Sequence, residues 1–175
     1  KTMAWRSRKA STAVSKSSQA RLDDSGAMDF TRFISQGEGR RLEDSRGDRP
    51  LTGLELRDAY AAILRLSRRT QVTTNTNLPL FHLVDPALGA HGKVGFQGLV
   101  IDYMGNLKVT SRANYKLGNV LEDGLEALFL DHPLMRDLRD RRIEGCGSCV
   151  HYERCGGDRN AAFAATGSFL EKDPS

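Results

Sequence analysis

Cysteine is scarce in this 175-residue chain, where Cys146, Cys149 and Cys155 form a C-x2-C-x5-C cluster and no other cysteine occurs. An odd number confined to ten residues excludes a disulfide framework, which pairs cysteines spread along a chain. Apolar residues are also few, at 39% of the chain against a usual ~45–50% by a slightly different count. No run approaches the roughly 20 apolar residues of a membrane span, and no signal-peptide pattern appears. These absences lead to the expectation of a soluble protein in a reducing, cytoplasmic compartment, with no membrane partner. Aromatics amount to 7%, too few for the interleaving with basic residues on a sheet face that RNA recognition favours. Acids are missing up to Leu22, a stretch that carries Lys1, Arg6, Arg8, Lys9, Lys16 and Arg21. Such a basic arm could meet nucleic acid or an anionic substrate, although a solvated helix face is the plainer reading.

What is present suggests two textures. At 175 residues the chain could form one domain burying about 70% of its unfolded surface. It opens at Lys1 without an initiator methionine and stops at Asp173-Pro174-Ser175, so it is expected to be a piece of a longer polypeptide. Ser11 to Ala27 shows weak helical patterning, and Met28 to Ser35 alternates apolar with polar residues as a strand does, with Gly37 and Gly39 ending it. A charged loop containing Arg46-Gly47-Asp48 follows. Thr52-Gly-Leu-Glu55 then forms a capping box, with Leu56, Tyr60, Ile63 and Leu64 on one helical face up to about Arg69. Helix, strand and helix in this order suggest part of an α/β unit with parallel strands.

From Thr73 the texture turns to Asn, Thr, Pro and Gly. Gly98 to Tyr103 and Leu107 to Ser111 read as a β-hairpin about Met104-Gly105-Asn106, and Leu117 to Val120 as a tight connection. Gly124 to Leu130 and Leu134 to Arg142 make one or two amphipathic helices before the cysteine loop. Asp158 to Thr166 is Ala-rich and predicts a short helix capped by Gly167.

Clustered thiols point to a metal or iron-sulfur site, but three are one short, because zinc and cubane clusters usually take four protein ligands. His151 would complete a zinc site with Cys146, Cys149 and Cys155, giving an interaction module whose basic arm touches nucleic acid. A cysteine just beyond Ser175 would instead complete a four-thiolate iron-sulfur site. His82, His91 and His132 lack metal-ligand spacing, and Gly37-Glu-Gly39 is too short for a phosphate loop. Arg32 on the presumed strand could bind a carboxylate or simply pair with a neighbouring acid.

The order of parts from Gly98 to Ser175 resembles the C-terminal auxiliary-cluster region, called SPASM or in shortened form Twitch, of radical S-adenosylmethionine (SAM) enzymes. The residues that carry the resemblance are Asp102-x2-Gly-Asn106, Leu117-Gly-Asn-Val120, the helix from Leu125 to Arg142, Cys146-x2-Cys149-x5-Cys155-Gly-Gly, Ala161 to Gly167 and Asp173-Pro174. Upstream, Phe30 to Ser35 and Leu54 to Arg69 look like the last strand and helix of that family's partial (β/α)6 barrel. The resemblance implies an α/β fold class. Residues 1–74 would be the C-terminal part of the barrel, 75–97 a linker, and 98–175 a small α+β iron-sulfur domain with a β-hairpin and short helices.

The departures are coherent. A full SPASM region has Gly-x4-Cys in the hairpin, where this chain has Thr110, and a further cysteine where it has Arg159. The resemblance therefore implies one auxiliary 4Fe-4S cluster on Cys146, Cys149 and Cys155, with the fourth cysteine expected just after Ser175. Arg154 and Arg159, and backbone N–H groups at Gly156 and Gly157, could tune its potential, although solvated surface positions are the plainer reading of both arginines. The C-x3-C-x2-C loop whose cluster cleaves S-adenosylmethionine is absent. The chain should thus be inactive alone. S-adenosylmethionine and a second 4Fe-4S cluster would belong to the full enzyme, whose N-terminal barrel half is the expected partner and whose substrate would be a peptide or protein.

Overall fold

The structure is a computed structural model that describes residues 27–69, 73–90, 92, 94–96 and 98–175. The basic arm, the weak helical pattern of Ser11 to Gly26 and His91 lie outside the described residues. The chain divides into two compact units, residues 1–76 with Ser175, and residues 77–174. No helix among the described residues is long and apolar enough to cross a membrane.

In the first unit, β1 (Ala27–Asp29) pairs in parallel with β2 (Thr73–Asn75), Met28 lying opposite Thr74. Two helices connect them, α1 (Glu38–Arg46) and α2 (Gly53–Ser67). The alternating pattern through Ser35 predicts a longer strand than is found: after Phe30 donates to Asn75 O the chain leaves the two-stranded sheet. The expected charged loop is partly helical. Gly37 opens α1, and Gly47, in the left-handed region at φ 69°, closes it by donating to Glu43 O. This helix buries no residue, and with Leu42 as its one large apolar side chain it shows no apolar periodicity.

Helix α2 follows its signals. Thr52 Oγ1 accepts from Glu55 N while Glu55 Oε2 accepts from Thr52 N, satisfying two of the amides that a helix start leaves free. Leu56 and Tyr60, one turn apart, are the buried residues of its apolar face, with the Phe30 ring centred 6.2 Å from that of Tyr60.

The second unit centres on a three-stranded antiparallel sheet of β3 (Val100–Ile101), β4 (Asn106–Lys108) and β5 (Lys116–Asn119). The hairpin is held by Asp102, whose Oδ1 accepts from the backbone of Met104 and Asn106 at 3.0 Å and holds its carboxyl below the ordinary range, with the Asn106 side chain as the largest cause. The segment expected as a tight connection, Leu117 to Val120, is mostly strand: Leu107 lies opposite Gly118, and Val120 donates to Gly105 O. A π-helical turn (Ala127–Asp131) and α3 (Pro133–Arg139) follow, and His132 starts α3 by accepting from Leu134 N. Helix α4 (Arg159–Thr166) matches expectation at both ends, with Asp158 Oδ1 accepting from Asn160 N and Ala161 N and Gly167 at φ 80°.

These elements converge on one core. Leu107, Val109 and Leu117 from the sheet, Leu128, Met135 and Leu138 from the helical turns, and Ile143, Tyr152 and Phe169 beside the cysteine loop are all buried. Phe163 stacks on Phe169 at 4.4 Å, with Tyr115 edge-on to both. Residues 77–97 belong to this unit too, with Leu78, Pro79 and Phe81 buried in and before a 3-10 turn (Pro79–Leu83). Burying apolar surface at roughly 25 cal/mol per Å2 makes this core, rather than the short strands, the main support of the loop it carries.

Candidate metal centre

The cysteine loop leaves α3 through Arg141, a non-glycine residue in the left-handed region at φ 60°. Tight turns then fold it: Gly147 donates to Ile143 O at 2.7 Å, Cys149 to Cys146 O at 3.0 Å, Tyr152 to Cys149 O at 2.9 Å and Cys155 to His151 O at 2.9 Å. Gly147 is required by close approach, because a Cβ there would lie 2.0 Å from Arg141 O. Tyr152 plugs the loop into the core, beneath the Arg141 guanidinium at 4.8 Å from its ring. Gly92 N donates to Cys155 O at 2.8 Å, so the loop is also gripped from the stretch preceding the sheet.

All three cysteines are free thiols. Cys155 is buried, Cys146 half-buried and Cys149 exposed. Each sulfur accepts one N–H: Cys155 Sγ from Gly157 N at 3.3 Å, Cys149 Sγ from His151 N at 3.4 Å, and Cys146 Sγ from Arg159 Nη2 at 3.3 Å. Sulfur is a weak acceptor as a thiol and a far better one as a thiolate, so three aimed donors suit a loop meant to hold anionic sulfur. Burial pushes the Cys155 thiol up from its usual range; the Gly157 bond opposes this, and the negative charges of Asp173 and the other two sulfurs add to it. Without a bound cation the Cys155 proton stays on, and ligation would have to displace it.

Arg159 was expected at the surface and is instead 1% exposed. Its Nη1 donates to Phe169 O at 3.1 Å and Glu171 O at 2.7 Å, while Nη2 reaches Cys146. Among the described residues its buried Nε has no acceptor. Gly157, at φ 70°, makes the room: a Cβ there would lie 2.3 Å from Arg159 Nη2 and 3.1 Å from Cys146 Sγ. Arg154 does match the solvated reading, being exposed. Asp158 N donates to Asp173 Oδ2 at 2.9 Å and Glu144 N to Leu170 O at 2.7 Å, so residues 169–173 are laced to the loop.

The donor set fits a group that takes thiolates and brings acceptors of its own. Three sulfurs have N–H partners, and among the described residues the buried Nε–H of Arg159 lacks an acceptor. Among the described residues, no group of three or more His, Cys, Asp or Glu side chains is arranged to hold a metal ion. His151 is exposed and contributes its backbone, not its ring, to Cys149. Of the other residues singled out in the sequence, His82 Nδ1 bonds Leu88 O and His132 caps α3, with desolvation holding its imidazole below the ordinary range. Arg32 lies beyond β1, buried, and donates to Ser175 Oγ within the first unit.

Two curated proteins resemble part of this chain. An AdoMet-dependent heme synthase of Methanosarcina barkeri is 37% identical over 59 residues, which is 33% of this chain and 17% of that protein. Mycofactocin maturase MftC of Mycobacterium ulcerans is 45% identical over 56 residues, 31% of this chain and 15% of that protein. Both partial relatives are radical SAM enzymes. That likeness, confined to about a third of this chain, is to enzymes with which iron-sulfur chemistry and S-adenosylmethionine generally go. The matches span less than a fifth of the length of these curated relatives. No family model matches the chain. No solved structure matches it.

Proposed function

We propose that the second unit is the auxiliary iron-sulfur region, of the SPASM/Twitch kind, of a radical SAM enzyme that modifies a peptide or protein. Residues 1–74 would be the end of that enzyme's partial (β/α)6 barrel, a reading supported by the parallel pairing of β1 with β2 across two helices. Cys146, Cys149 and Cys155 would hold one 4Fe-4S cluster, and the chain's lack of a fourth cysteine leaves the fourth ligand to come from elsewhere. When bound, such a group supplies one-electron redox capacity at the edge of the substrate site.

The observation that carries this reading is the N–H donor on each of the three sulfurs, one of them from a buried guanidinium. The chain's own residues then have separable roles. Gly157 and His151 amides orient two sulfurs, while Tyr152 and the Gly92 amide fix the loop on the core. Asp158 and Asp173 hold residues 169–173 against it. Cys155, buried, would keep water from its side of the site, and Cys149, exposed, faces the open side.

The test is anaerobic purification of the full natural polypeptide containing these residues, beside a Cys146→Ala/Cys149→Ala/Cys155→Ala variant. Iron, acid-labile sulfide and zinc are then assayed in both. The variant is expected to lose about four irons with matching sulfide. Loss of one zinc instead, repeated by His151→Ala, would replace this reading with a zinc module, and no loss of either metal would sink both.

A further inference from the structure

We propose that Arg159 is a positioning residue for the iron-sulfur group, its buried cation balancing the Cys146 thiolate and favouring the more reduced, more negative state of the bound cluster. This rests on the reading of the site given above. It starts from a charge imbalance. A guanidinium keeps its charge at any ordinary pH, and one that is 1% exposed has lost its water. Its two backbone acceptors, Phe169 O and Glu171 O, are neutral dipoles that satisfy N–H groups without cancelling the charge. The remaining acceptor in reach is Cys146 Sγ at 3.3 Å, so the thiolate that cluster ligation requires there would be its direct counter-ion.

The planar fork explains why arginine fits. Nη1 alone donates to the carbonyls of residues 169 and 171 while Nη2 is presented to sulfur, which fixes the head group from two sides. Among the described residues Nε–H remains buried without an acceptor. A fixed positive charge in a low-dielectric surround stabilises added negative charge, so it raises the potential at which the group accepts an electron. Arg154, exposed on the same loop, is screened by water and should matter far less.

The experiment compares the full polypeptide with its Arg159→Gln, Arg159→Lys and Arg154→Gln variants in anaerobic dithionite titrations followed by electron paramagnetic resonance. In each, one electron passes from dithionite to the cluster and no bond is made or broken. The auxiliary signal is the one missing from the triple-cysteine variant. Arg159→Gln should keep its iron with a lowered midpoint, Arg159→Lys should recover most of the shift, and Arg154→Gln should leave the midpoint in place. If Arg159→Gln fails to fold, a folded Arg159→Lys with its iron and a near-native midpoint still supports the role of charge. Iron retained with an unmoved midpoint in Arg159→Gln, or an Arg159→Lys that behaves like Arg159→Gln, overturns the inference while leaving the iron-sulfur reading intact. If the unsubstituted protein carries no cysteine-dependent iron, both fall.

Discussion

The two units are stabilised in different currencies of distance. In the first, α1 buries nothing and α2 buries Leu56 and Tyr60, so these helices lean on partners within a turn or two: the Thr52–Glu55 box and the Arg49 fork on Glu55. In the second, a shared apolar core and a web of bonds spanning 10 to 15 residues, from Arg159 to residues 169 and 171 and from Asp158 to Asp173, hold the cysteine loop. A helix built on local contacts can be read and altered piecemeal. A loop built on remote ones stands or falls with the whole unit.

The largest test of that contrast is Leu107→Ala. Leu107 is fully buried beneath the sheet, and the cavity should cost about 2–5 kcal/mol. Denaturant melts should show the unit weakening as a whole, with iron content falling alongside; a loss confined to the hairpin would break the picture of one shared core. Thr52→Ala should cost about 1 kcal/mol through the lost cap of α2. Circular dichroism should register this while cysteine-dependent iron stays constant, and a loss of iron would show that the units are not independent in this respect.

The smallest effect concerns pH. Glu55 is held down to about 2 by Arg49 first and then by the bonds from Thr52. A carboxyl depressed in the folded state contributes stability that is complete above its ordinary value of 4.5 and is lost as pH falls through about 2. Both side chains are solvent-exposed, so the contribution to stability is small and salt-sensitive. Carboxyl-carbon NMR titration should place the Glu55 midpoint near 2 and move it upward in Arg49→Ala; an unmoved midpoint would leave the cap alone responsible.

What was legible in the sequence follows the same division. Helix α2 with its box and α4 with Asp158 and Gly167 at its ends carry signals within a few residues, and the structure matches them. The three thiols were legible as donors because ligand chemistry depends on residue type and close spacing. Helix α1 was hidden because Gly37 and Gly39 resemble terminators, whereas the first is the start of a polar helix. Strand β5 reads as a connection in sequence because Gly118-Asn119 has turn composition, and its pairing is supplied by β4. The burial of Arg159 was illegible for a related reason: carbonyls 10 and 12 residues downstream decide it, and nothing beside it in sequence names them.

The missing side chain at position 157 links two residues that do not look related. A methyl group there would fall 2.3 Å from the Arg159 guanidinium, so the smallest residue and the bulky cation two places on share one volume. A descendant chain that replaced Arg159 with a short residue would lift the steric bar at 157 but not the left-handed backbone that still favours glycine. The left-handed backbone at 157, and the Cys146 sulfur 3.1 Å from where a Cβ would stand, favour glycine there whatever residue 159 carries.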